Sequence, residues 1–90
     1  MTGYRVYLTK SARKEFDALP SKFKDRVSDA LGLLEINPYS ELLQVKKLKG
    51  EENLYRTRIG DYRIVYEVQK REVQVIVIKI GHRKEVYRRY

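Results

Sequence analysis

Leu54-Tyr55-Arg56-Thr57-Arg58-Ile59-Gly60-Asp61-Tyr62-Arg63-Ile64-Val65-Tyr66-Glu67-Val68 decides how this chain folds. Its side chains alternate with a period of two, the signature of a strand with one face buried. Tyr55, Thr57 and Ile59 fall on one face, Arg56 and Arg58 on the other. Gly60-Asp61 is a two-residue hairpin signal, because glycine supplies the positive φ such turns require. Beyond it Tyr62, Ile64, Tyr66 and Val68 oppose Arg63, Val65 and Glu67. With the two arms in register, Arg63 joins Arg56 and Arg58 on one face, while Tyr55, Tyr62 and Tyr66 join the core.

On the C-terminal side, Lys70-Arg71-Glu72 makes a polar turn, and Val73 to Ile80 is apolar at nearly every position. That run predicts a central strand covered on both faces. Gly81 is expected to break it, and Lys84 to Arg89 to form a short helix. On the N-terminal side, Tyr4 to Leu8 is rich in β-formers and predicts a strand. Ala12, Phe16 and Leu19 then recur at helical spacing, with Thr9 or Ser11 available as a cap. Pro20 stops that helix and Ser21 is placed to cap a second, whose apolar stripe is Phe23, Val27, Ala30, Leu31 and Leu34. Asn37-Pro38 ends it, since a residue before proline is pushed out of the α region. The expected fold is α+β, with residues 1–90 as one domain. An N-terminal strand and a helical hairpin pack on a mostly antiparallel four-stranded sheet, followed by a short C-terminal helix.

Twenty Lys/Arg against twelve Asp/Glu leave the 90 residues at +8. The excess is uneven: residues 1–45 carry +1 and residues 46–90 carry +7. One basic surface of this kind attracts polyanions, of which nucleic acid is the commonest, although a lysine-rich solvated face has the same composition. There is no cysteine and a single histidine, so neither a disulfide framework nor a Cys/His zinc site is expected. The carboxylates are scattered without ligand spacing, which argues against a two-metal nuclease, and no cofactor is expected. The sequence also lacks a glycine-rich phosphate loop and a Gly-x-Ser-x-Gly elbow. No apolar run approaches a membrane span and the N-terminus lacks a signal-peptide core, so a cytoplasmic location is expected.

Arg56, Arg58, Arg63 and Arg83 form the informative set. Clustered guanidiniums repel one another unless an anion lies between them, and their planar forks suit phosphate oxygens. Each could equally snorkel to solvent from a half-buried strand. Lys79 shares strand parity with Gly81 and points to the same side as this cluster. His82 is the one side chain with an ordinary pKa suited to proton transfer near neutrality, but a lone histidine after a strand also serves as a turn residue. Tyr87, in the basic tail, could stack on a base or pack a helix.

The run Leu48-Lys49-Gly50, the hairpin above, and the ending Val77-Ile78-Lys79-Ile80-Gly81-His82-Arg83-Lys84-Glu85-Val86-Tyr87 together resemble the RelE branch of the RelE/ParE toxin superfamily. The element order matches over essentially the whole chain. The resemblance implies a ribosome-dependent mRNA endonuclease toxin, held in check by an acidic, RelB-like antitoxin in a higher oligomer. Cleavage in that family needs no metal: the ribose 2′-hydroxyl attacks the adjacent phosphate. By position, Arg56 and Arg58 match a basic pair on a sheet strand, where the best-known member has lysines. Arg63 matches a residue at the scissile phosphate, and Arg83 one that stabilises charge or protonates the leaving group. Tyr87 matches a tyrosine that stacks on or orients the nucleotide. With arginine at position 58 a poor proton acceptor, His82 and Tyr87 become alternatives. Lys47, Lys49, Lys79, Lys84 and Arg88 are expected to bind RNA around this site. The superfamily's ParE branch, which poisons DNA gyrase, and a non-catalytic nucleic-acid-binding regulator are the alternative readings.

Overall fold

In the computed structural model, which describes residues 3–82, the chain runs β1 (Arg5–Leu8), α1 (Lys10–Asp17), α2 (Ser21–Ile36), a 3-10 turn (Glu41–Leu43), β2 (Lys46–Lys47), β3 (Leu54–Ile59), β4 (Tyr62–Gln69) and β5 (Gln74–His82). Thr9 caps α1, its hydroxyl accepting from the Ala12 amide at 3.1 Å. Ser21 does not cap α2. Pro20 holds the N-cap position, and its carbonyl accepts from the amides of Phe23 and Lys24 at 3.0 and 2.9 Å, which puts Ser21 inside the first turn. The helix ends where Asn37 turns extended, φ −158°, ahead of Pro38.

The sheet has order β1-β5-β4-β3-β2, with β1 parallel to β5 and every other pair antiparallel. It has five strands where the sequence pattern predicts four. The extra strand, β2, is two exposed lysines, too short to show alternation. It lies against β3 because the chain before it is anchored: Leu43 is buried, and the Thr57 hydroxyl donates to the Leu43 carbonyl. Two further departures concern β5. Gly81 does not break the strand but stays paired with Arg63, and His82 pairs with Tyr62. Val73 is excluded from it, sitting at φ 54° in the preceding turn. The expected C-terminal helix over residues 84–89 lies outside the described residues.

A register shift between Val65 and Tyr66 pairs Val65 with Lys79 but Tyr66 with Val77, leaving Ile78 unmatched. This bulge turns Ile80 to the same side as Val75 and Val77 despite their opposite parity. All three are buried with Val27, Leu34, Ile64 and Tyr66 in the core between helices and sheet. The opposite face carries only a small apolar cluster, Leu48 and Val65 with Leu54 against them. Among the described residues no helix is long and apolar enough to cross a membrane.

Tyr66 ties the core to the loop after α2, its hydroxyl donating to the Pro38 carbonyl at 2.6 Å. Burial, followed by the neighbouring Tyr55 and Tyr39, pushes the Tyr66 hydroxyl above the usual tyrosine range. Tyr39 is pushed up to about 12, by burial first and then by Tyr55 and Tyr4. A raised folded-state value means the native protein holds protons that the unfolded chain releases. Stability is therefore full below the ordinary tyrosine pKa of about 10 and falls as pH rises from there towards 12 and beyond. Tyr66→Phe should cost about 1–2 kcal/mol at neutral pH, for the lost bond and the stranded Pro38 carbonyl. It should also flatten the alkaline decline, both read from urea midpoints between roughly pH 8 and 11.

Candidate nucleic-acid interface

The β3–β4 hairpin builds this site. Gly60 alone of the two turn residues has positive φ, 61°, as the first position of a type II′ turn requires. A Cβ there would also lie 3.2 Å from a guanidinium nitrogen of Arg26 and 3.3 Å from the Phe23 ring. This turn sets the register that puts Arg58 opposite Arg63 and Arg56 opposite Val65. On the outer side of β3, Lys46 lies opposite Arg56. All four cations share the sheet face turned away from the helices.

With Gln44 they line one cavity of about 180 Å³. Arg63 is its buried wall, only 4% exposed, Arg56 is half-buried, and Arg58 is exposed. Arg58 Nε donates to the Gly60 carbonyl at 3.3 Å, which steadies the guanidinium beside the turn. Among the described residues, no carboxylate lines the cavity. Its walls present forked donors on three sides, the geometry that receives phosphate oxygens.

Sequence parity placed Arg56, Arg58 and Arg63 on one face, and the structure brings those three together. Lys46 and Gln44 were missed. A two-residue strand carries no alternation, and Gln44 precedes it in irregular chain. The other expected residues lie elsewhere. Lys47 pairs with Tyr55, on the opposite parity from Lys46, and with Lys49 it flanks a separate shallow hollow shared with Glu51 and Glu52. Lys79 pairs with Val65, and its ammonium is engaged by the Glu15 carboxylate of α1. That carboxylate also accepts from the Ile80 amide at 2.9 Å, so α1 shields the edge of β5 beyond the end of β1. His82 pairs with Tyr62 and packs edge-on against its ring, centroids 5.6 Å apart, beside a hollow lined by Glu15 and Leu19. It is not brought to the arginine cavity. Arg83, Lys84, Tyr87 and Arg88 lie outside the described residues. Among the described residues, no group of three or more His, Asp or Glu side chains is placed to hold a metal ion.

The model of the ParE toxin of type II toxin–antitoxin systems (parDE) matches residues 6–87. The chain belongs to this toxin family, on its RelE branch. Toxin RelG of Mycobacterium tuberculosis is 31% identical over 88 residues, which cover 96% of this chain and 98% of RelG. The archaeal RelE–RelB complex from Pyrococcus horikoshii contains a chain that superposes with a TM-score of 0.80 at 35% identity, covering 92% of this chain and 97% of that one. Isolated Escherichia coli RelE superposes with a TM-score of 0.77 at 30% identity, covering 94% and 92%. The two helices on a mostly antiparallel sheet are thus the RelE-like α+β fold.

Like charges directly opposite on a sheet destabilise it, and Arg58 and Arg63 are such a pair. Screening should relieve that repulsion. The Tm of this RelE-branch protein should rise between about 20 and 300 mM NaCl, and further in inorganic phosphate at matched ionic strength. Arg58→Ala should shrink both increments, as followed by differential scanning calorimetry.

Proposed function

We propose that this toxin is a ribosome-dependent mRNA endonuclease that cuts in the decoding site and so inhibits translation. The observation that carries this reading is the convergence of Arg56, Arg58, Arg63 and Lys46 on one cavity, which no carboxylate lines among the described residues. In the reaction, the ribose 2′-oxygen attacks the adjacent phosphorus, its proton goes to a base, and the bond to the 5′-oxygen breaks as that oxygen gains a proton. The products are a 2′,3′-cyclic phosphate and a free 5′-hydroxyl. Arg56, Arg58 and Arg63 hold the phosphate and stabilise the extra charge of the phosphorane, which is where preformed donors contribute most. They do not accept the proton, because arginine keeps its charge. Of the described side chains lining the cavity, only Lys46 is of a type that can serve as a neutral amine. His82, on the other face, is poorly placed for it. Arg83 and Tyr87 keep the roles that the family resemblance assigns, charge stabilisation and nucleotide stacking. Lys47, Lys49, Lys79, Lys84 and Arg88 contribute to RNA binding through the wider field, Lys79 least because Glu15 offsets its charge.

The partners follow from the same surface. An acidic, RelB-like antitoxin would neutralise the cavity, as a RelB partner accompanies RelE in the Pyrococcus horikoshii complex. The ribosome and its mRNA would be the targets, in the cytoplasm. The family's ParE name gives the competing reading, gyrase poisoning, which predicts DNA damage and filamentation on overexpression before protein synthesis stops.

Purified ribosomes programmed with a defined mRNA and an empty decoding site provide the test, with cuts mapped by primer extension. A protein-dependent cut in the decoding-site codon, absent without ribosomes, is expected. Arg63→Ala and Arg83→Ala should each lower single-turnover cleavage at least about 100-fold, the scale of losing one charge-stabilising donor. Unchanged cleavage in both folded variants would refute the assignment. Tyr87→Phe should change little if the ring stacks, and much if its hydroxyl moves a proton.

A further inference from the structure

Gln44 follows the 3-10 turn with φ 50° and ψ 52°, a left-handed conformation that ordinarily favours glycine. Its backbone is pinned there: Ser40 caps the turn through the Leu42 amide at 3.2 Å, the Gln44 amide donates to the Glu41 carbonyl at 3.3 Å, and Leu43 is buried. Val73 shares the conformation, at the opposite end of β4 from the cavity, so strain alone does not distinguish Gln44. Its position does. Its side chain lines the cationic cavity and also the adjoining groove of about 500 Å³ that runs past Arg26, Asp29, Leu42 and Arg58. Of the described residues around the cavity, Arg56, Arg58, Arg63 and Lys46 offer donors only, and Gln44 is the one whose side chain also carries an acceptor, Oε1.

Donors alone bind a phosphodiester of either nucleic acid. A neutral side-chain amide adds an acceptor for hydrogens that differ between nucleotides, those of the ribose 2′-hydroxyl, a base ring N–H or an exocyclic amine. We infer that Gln44 accepts such a hydrogen bond from the nucleotide whose phosphate lies among the arginines, and so sets the selectivity of the site. This rests on the nucleic-acid reading above and adds to it a residue that the arginine pattern does not supply. Glycine would fit this backbone better. Keeping glutamine despite the left-handed φ is what a side chain with a job there would look like.

The isolated protein is titrated by fluorescence anisotropy, at one fixed ionic strength, with labelled single strands of about 12 nucleotides. Oligo(U) and oligo(dU) differ in the 2′-hydroxyl, and oligo(C) carries an exocyclic amine where oligo(U) has a carbonyl and a ring N3–H. Wild type should prefer oligo(U) over oligo(dU), or discriminate between oligo(C) and oligo(U), by about 5–10-fold, the size of one hydrogen bond. The first preference assigns the ribose, the second the base. Gln44→Gly and Gln44→Met should both abolish it. The Tm of the glycine variant should equal or exceed that of wild type, since glycine relieves the backbone. A preference that survives both substitutions, or no preference in wild type, would overturn the inference. Binding of none of the strands would overturn the nucleic-acid reading with it. Ribosomal cleavage is read separately: absent cleavage with the preference intact would sink the endonuclease assignment and leave the role of Gln44 standing.

Discussion

The register of the β3–β4 hairpin is the constraint on which the rest depends. Gly60 takes the positive φ that lets a two-residue turn join the strands, with no room for a Cβ between it and α2. From that turn outward, every pair is fixed. Thr57, Ile64 and Tyr66 go to the helices, and Arg56, Arg58 and Arg63 go to the opposite face. A slip of one residue would bury three guanidiniums and expose the tyrosines, a cost far beyond the few kcal/mol by which so small a domain is stable. Packing of the core and placement of the cations are thus one event.

The positive charge is divided by what lies near it. Lys79 meets Glu15, and Lys47 and Lys49 share their hollow with Glu51 and Glu52. Among the described residues, the cavity at the hairpin gathers four cations and Gln44 with no lining carboxylate. A uniformly basic surface would have shown the same composition. The local concentration of cations is what marks a place for an anion, and it sits on the hairpin whose register the Gly60 turn sets. Function here draws on rigidity: Arg63 is held in the sheet as firmly as its core-facing neighbours, Ile64 and Val65.

Membership of the ParE toxin family, RelE branch, accounts for the architecture. What is particular to this chain is the composition of the cavity. Arginines at positions 56 and 58 offer planar forked donors and keep their charge. Lys46 and Gln44, brought in by a short edge strand and the left-handed residue near its start, add an ammonium and an amide to the same cavity.

Much of this was legible in the sequence. Alternation gave β3, β4 and the shared face of Arg56, Arg58 and Arg63, because strand parity is a local property of the backbone. Thr9 and Asn37-Pro38 marked helix ends through equally local preferences. The fifth strand was not legible, since two lysines pair with β3 only after the loop before them is anchored by Thr57 and Leu43. Neither was the course of β5 past Gly81, which the partner strand β4 sustains, nor the bulge that redirects Ile80. The neighbours of His82 and Lys79 were not legible either: an aromatic ring packs against one and a helix carboxylate engages the other, contacts that no local pattern shows. The sequence determined which residues share a face. Only tertiary structure decided which of them meet, because a meeting between distant segments depends on packing that no local period encodes.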